Sequence, residues 1–188
     1  MEYYNIITIV FENKVAALRS KESVMACLDG IDAGSYGYSE KVVFSDIFRK
    51  HLSFDNDRTF SIDEEAGCGF ATPEDSLQLI PEMAKRIAEA NKDIPFSISS
   101  FNTGTYSESR IELQYRDQRI TVETIYYPQG DYDMLCCPEC GEEILSVSEY
   151  EAGKTYTCPE CGEECDLQEA YEEACPVEEK KMIDLAAE

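Results

Sequence analysis

Two hydrophobic rhythms alternate along the first two thirds of the chain. Residues 3–11, Tyr-Tyr-Asn-Ile-Ile-Thr-Ile-Val-Phe, are almost all β-branched or aromatic, which predicts a strand covered on both faces and central in its sheet. The period then lengthens. Asn13 is placed to cap a helix running to about Asp29, with Val15, Leu18, Met25 and Leu28 at helical spacing, Cys27 joining their face and Gly30 following as the terminator. Residues 32–38 have the glycines and polar groups of a loop. Between Ser39 and Ala66 the runs become short again: residues 41–44 and 58–62 flank Asp55-Asn-Asp57, which predicts paired strands around a turn. Residues 47–52 fit either a helical turn or a continuing strand.

A second helix is signalled by Thr72 as N-cap, Pro73 at the first helical position and Asp75 in the first turn, ahead of the stripe Leu77, Ile80, Met83, Ala84 and Ile87. It should end near Asn91, with a kink or restart at Pro81. Residues 94–98 predict a strand. Residues 108–115 and 119–127, turned at Asp117-Gln118, alternate as an amphipathic antiparallel hairpin with one wet face. This order of elements predicts an α+β fold in which two helices cover one face of a largely antiparallel sheet, and ferredoxin-like packing is one way to realise it. Pro, Gly and Asp at 128–134 place a boundary there, dividing the chain into an α+β domain at 1–130, a small unit at 131–165 and an acidic helical tail at 166–188, broken at Pro176. In that tail Leu167, Ala170, Tyr171 and Ala174 form a stripe able to dock on the unit before it.

Charge changes the picture more than composition does. The 188 residues are 43% hydrophobic, ordinary for a globular protein, but carry 16 Lys+Arg against 39 Asp+Glu, a net of −23. The imbalance is concentrated: residues 1–130 hold 13 basic and 21 acidic side chains, a net of −8, and residues 131–188 hold 3 and 18, a net of −15. Such a surface repels phosphate, whose binding depends on Lys and Arg displacing counterions, and attracts a basic partner. No apolar run is long enough for a membrane span and the first residues lack a basic leader, so a cytoplasmic protein is expected.

Nine cysteines, an odd number, argue for metal chemistry in a reducing compartment over a disulfide scaffold. Cys137-Pro-Glu-Cys140-Gly141 is repeated as Cys158-Pro-Glu-Cys161-Gly162, with seventeen residues between Cys140 and Cys158. That spacing predicts one tetrahedral, structural zinc ion held by Cys137, Cys140, Cys158 and Cys161. Cys136 and Cys165 crowd the set, and Cys165 is the readier substitute. The two knuckles resemble those of the zinc-ribbon superfamily over residues 134–165. The resemblance implies the fold and the metal, with residues 143–150 and 154–157 as ribbon strands turned at 151–153. Because zinc ribbons serve transcription factors, polymerase subunits, primases and other accessory proteins, it names no activity. The ribbon's few apolar side chains, among them Ile144, Leu145, Val147, Tyr150 and Tyr156, leave its folding dependent on the ion.

Candidate catalysis is thin. The single histidine, His51, and Cys68 in Ala-Gly-Cys-Gly-Phe are the obvious base and nucleophile, but nothing in the sequence brings them together. The carboxylate runs at 63–65 and 172–173 lack calcium-loop spacing, and nucleotide-binding fingerprints are missing. No catalytic or cofactor residue is assigned. The expectation is a non-enzymatic, acidic zinc-binding protein that engages a basic protein surface, such as that of a nucleic-acid-processing protein, in its sharpest form as a nucleic-acid-mimicking inhibitor. A ribbon-type accessory factor of transcription or replication machinery is the alternative. An enzyme of unrecognised type is the third. Direct nucleic-acid contact is disfavoured by Glu139, Glu142, Glu143, Glu160, Glu163 and Glu164 around the knuckles, with Lys154 the only base among them.

Overall fold

The computed structural model describes residues 4–31, 44–63, 71–104, 107–127 and 134–186. The expected loop at 32–38, most of the expected strand at 41–44, Cys68, and most of the connection at 128–134 lie outside them. The chain opens with β1 (Tyr4–Phe11), whose register with later strands organises the molecule. Asn13 then caps α1 (Lys14–Ala26), its side-chain oxygen accepting the Ala16 N–H at 3.0 Å. Next come α2 (Phe44–His51), β2 (Ser53–Phe54), β3 (Thr59–Ile62) and α3 (Pro73–Ala90). The meander β4 (Phe96–Thr103), β5 (Glu108–Arg116) and β6 (Arg119–Tyr127) completes the first part.

All seven strands of the main sheet pair antiparallel, in the order β11-β6-β5-β4-β1-β3-β2, where β11 (Val177–Asp184) is the last strand of the chain. Within it β4-β1-β3-β2, with α1 and α3 as the connections, is the split βαβ arrangement of ferredoxin-like folds. One face carries the helices. Ile7, Ile9, Phe11, Ile98, Ile111, Leu113, Ile120 and Val122 point into it against Phe48, Leu79, Ile80, Met83 and Ile87, and all are nearly free of solvent contact. A buried amide pair secures one end of this core: Asn5 Nδ2 donates to Asn102 Oδ1 at 2.7 Å and to the Ala71 carbonyl at 3.0 Å, and the Ala71 N–H donates back to Asn5 Oδ1 at 3.2 Å. Both amides are satisfied, so the network specifies register at no unpaired cost.

Several expectations are corrected. β1 is interior, between β4 and β3, but only one of its faces is buried; the other, with Ile6, Thr8 and Val10, is half-covered because the sheet carries helices on a single side. On α1 the buried face is Ala17, Ser20 and Val24, continued by Cys27 and Leu28, while Val15 and Leu18 are 67% and 50% exposed. Two stripes of the same period compete on this helix, and the one with smaller side chains permits the close approach to α3. Residues 44–51 form a third helix, burying Phe44 and Phe48, and the partner of β3 is Ser53–Phe54. The turn between them is as expected: Asp55 Oδ1 accepts the N–H groups of Asp57 at 2.8 Å and Thr59 at 3.0 Å, which lowers its carboxyl, and Asn56 takes φ 60°. α3 runs unbroken through Pro81, because Ile80, Met83 and Ala84 around it are anchored in the core and outweigh one lost backbone bond.

The end of the chain departs furthest. α4 (Gln168–Ala174) is helical, but Val177–Asp184 forms β11 instead of a resumed helix. Its Glu- and Lys-rich sequence has good helix propensity. Eight consecutive pairs with β6, from Val177↔Tyr126 to Asp184↔Arg119, override that preference by pairing an otherwise open sheet edge. The chain therefore leaves the main sheet after β6, builds the cysteine-rich unit and returns beside the strand it left. No helix among the described residues is long and apolar enough to cross a membrane.

Candidate metal centre

The cysteine-rich unit consists of two similar hairpins. β7 (Met134–Cys136) pairs with β8 (Glu143–Ser146), and β9 (Thr155–Thr157) pairs with β10 (Glu164–Asp166). The expected pairing of β8 with β9 is not formed, since each strand pairs across its own knuckle. The reason is local. In the first knuckle the Gly141 N–H donates to the Cys137 carbonyl at 2.8 Å and the Cys137 N–H to the Glu142 carbonyl at 2.7 Å. In the second, the Gly162 N–H donates to Cys158 at 3.0 Å and the Cys158 N–H to Glu163 at 2.9 Å. Gly141 and Gly162 sit at φ 77° and 75°, in the left-handed region where a side chain is strained.

Each turn presents two sulfurs to the same point. The sulfurs of Cys137, Cys140, Cys158 and Cys161 all lie within 4.8 Å of one another, with Cys137 and Cys158 buried and Cys140 and Cys161 exposed. Cys137 Sγ is 3.7 Å from Cys161 Sγ, and Cys140 Sγ is 3.6 Å from Cys158 Sγ. A regular tetrahedron with metal–sulfur bonds of about 2.3 Å has edges of about 3.8 Å, so the donor set fits a tetrahedral tetrathiolate ion. The four sulfurs are positioned to bind a metal ion, and zinc is compatible with them. The backbone N–H of Cys140, helped by that of Glu139, holds the Cys137 thiol down to about 6 against the opposing effect of burial. Cys140 moves the other way: although the Glu142 backbone N–H lowers it, burial and contact with Cys158 and Cys137 push it up to about 12, so one thiolate is favoured among the clustered sulfurs and a bound ion would displace the remaining protons.

No family model, curated protein or solved structure matches the chain. The ribbon resemblance accordingly stands on the two knuckles and this sulfur cluster alone. Of the two crowding cysteines, Cys136 is exposed on β7 and outside the cluster. Cys165 is 3% exposed, with its sulfur 3.6 Å from that of Cys137. Burial, then contact with Cys137, pushes its thiol up to about 11, which suits a proton donor beside a Cys137 thiolate.

Around the sulfurs the core is small: Leu135, Leu145 and Leu167, with Cys137, Cys158 and Cys165. The stripe Leu167, Ala170, Tyr171 and Ala174 docks on it as the sequence indicates. Tyr150 stacks on Tyr171 with ring centres 4.3 Å apart and lies 6.2 Å from Tyr156, and its buried hydroxyl has no hydrogen-bond partner among the described residues. Outside, Glu139, Glu142, Glu143, Glu160, Glu163 and Glu164 are all exposed. The tyrosine cluster was visible in the sequence only as separate apolar positions; nothing local showed that α4 would bring Tyr171 onto Tyr150.

The other candidates stay apart from this centre. His51 ends α2, half-exposed, and Cys68 lies outside the described residues. Cys27 is 1% exposed in the core, and burial raises its thiol to about 12, as for an inert packing residue.

Proposed function

We propose that this chain is a non-enzymatic binding protein in which a structural zinc ribbon, carried by the α+β sheet unit, presents carboxylates to a basic macromolecular surface. The observation that carries the reading is the exposure of the six glutamates around the knuckles, in a segment of 3 basic against 18 acidic residues. Cys137, Cys140, Cys158 and Cys161 hold one zinc ion. When bound, it contributes a cross-link and a net charge of about −2 with its four thiolates, and a closed tetrathiolate leaves no open position for chemistry. Its sharpest form is a nucleic-acid mimic, an inhibitor whose carboxylates occupy a groove that otherwise receives phosphates. Charge complementarity speeds such an encounter and makes it salt-sensitive.

The test is capture from lysate by the immobilised zinc-loaded chain at low and high salt, followed by competition of the captured partner with duplex DNA. The expected result is a basic, nucleic-acid-processing protein retained at low salt and displaced by DNA. Recovery of no basic partner at either salt contradicts the reading, and retention undisturbed by DNA removes the mimic while leaving a basic partner.

A further inference from the structure

The carboxylates of the ribbon attract a cation from any direction, and a cluster of tyrosines beside them offers a surface to hold it. β9 supplies Tyr156, the segment after β8 supplies Tyr150, and α4 supplies Tyr171; all three residues are half-buried at the edge of the small core. Tyr150 and Tyr171 stack at 4.3 Å with planes 23° apart, giving a continuous aromatic ridge, and Tyr156 stands 6.2 Å from Tyr150. Carboxylates border the ridge. Asp166 pairs with Thr155, the residue before Tyr156, and Glu172 follows Tyr171 on α4; Gln168 ties the two together, its N–H donating to Asp166 Oδ1 at 3.0 Å and its Nε2 to Glu172 Oε1 at 2.8 Å. Both are exposed.

The chain contains its own demonstration of what the patch accepts. Lys154, the ribbon's only cation, places Nζ 5.5 Å over the Tyr156 ring and 3.4 Å from Glu151 Oε1. A cation over a tyrosine face with a carboxylate beside it is the pattern, and the Tyr150–Tyr171 ridge beside Asp166 and Glu172 repeats its parts with no cation over either ring among the described residues. Aromatic faces bordered by anions favour guanidinium over ammonium, because the planar group stacks and is less strongly hydrated.

We infer that the partner is gripped at this tyrosine ridge and that it inserts an arginine-bearing segment, with the knuckle glutamates steering the approach and the ridge supplying the hold. The inference rests on the acidic-binding reading above and narrows it to one surface and one side chain. Interface energy concentrates where aromatic and arginine side chains meet, while surrounding charges act mainly on encounter rate.

The test titrates the full zinc-loaded chain, labelled for NMR, with two twelve-residue peptides of equal charge, one alternating Arg and Gly, the other Lys and Gly. The Arg peptide should bind more tightly and shift the ring signals of Tyr150, Tyr156 and Tyr171. Reversing the ridge charges in an Asp166→Lys, Glu172→Lys variant should weaken it about tenfold or more, whereas Glu139→Lys, Glu160→Lys, with the same change in net charge, should weaken it less than about threefold. Because Asp166 and Glu172 also accept hydrogen bonds from Gln168, an Asp166→Asn, Glu172→Gln variant, which keeps an acceptor at each place while removing the charge, is measured beside the reversal and should weaken the Arg peptide in the same direction; retained zinc confirms the fold of each. Equal weakening by the two pairs, or equal binding of both peptides with unmoved tyrosine rings, overturns the ridge while leaving a diffusely acidic binder. Failure of both peptides to bind at low salt overturns the ridge and the acidic-binding reading together.

Discussion

The sheet unit and the cysteine-rich unit solve the same folding problem by different means. In the first, large side chains such as Phe11, Phe48, Phe60, Ile80 and Tyr115 are almost wholly removed from water between helices and strands. In the second, three leucines and three cysteines make up the buried residues. Conformational entropy opposes order at about 1–2 kcal/mol per residue in both, and only the sheet unit has the apolar area to offset it. The cysteine-rich unit has four sulfurs positioned to supply the difference through a metal ion, which on the reading proposed above would release its surface from contributing to stability. On that reading the acidic excess can collect there, because a unit cross-linked by an ion would tolerate the mutual repulsion of its carboxylates, which a marginal hydrophobic core does not.

The most severe test of this contrast removes a ligand. Cys158→Ser should abolish stoichiometric zinc and disorder residues 134–174, a loss on the scale of about 10 kcal/mol of binding free energy, while the β1–β6 amides keep their chemical shifts. Elemental analysis and amide spectra read both halves; an unchanged ribbon spectrum with zinc absent breaks the comparison. The converse change is Phe48→Ala in a fully buried site of α2. It should lower the denaturant-derived stability of the sheet unit by about 3–5 kcal/mol with zinc content unchanged. Loss of zinc in that variant would show the two units to be one cooperative body.

Acid separates the regions more finely. Protons compete with the ion for thiolate, so zinc release should begin as pH falls without melting the sheet. Within the sheet unit, Tyr126 Oη donates to Glu74 Oε1 at 2.6 Å. Burial raises the Glu74 carboxyl, but the bond from Tyr126, with lesser ones from its own backbone N–H and from Ser107 and Thr72, brings it below the usual carboxylate value. A depressed carboxyl contributes stability above its unfolded value of about 4.3 and loses it as pH falls through the lower folded value. Tyr126→Phe should therefore raise the Glu74 titration midpoint and cost under about 1 kcal/mol at neutral pH, since the carboxylate is largely exposed. An unmoved midpoint in a carbon-detected titration refutes that assignment.

What could be read from the sequence alone was whatever depends on near neighbours. The caps at Asn13 and Thr72, the Asp55 turn, the β5–β6 hairpin at Asp117-Gln118 and the two knuckles are each written within a few residues, because hydrogen bonds and φ > 0 positions act at that range. The sulfur cluster was legible for the same reason, each turn aiming its own pair. Tertiary structure alone decided which of two equal stripes α1 would bury, that Asn5 would find Asn102 and Ala71, that α4 would bring Tyr171 onto Tyr150, and that a Glu- and Lys-rich tail would become β11. Those choices are set by partners distant in the chain, and where local preferences are nearly balanced, the free energy of covering a face or an open sheet edge is larger than the propensity it overrides.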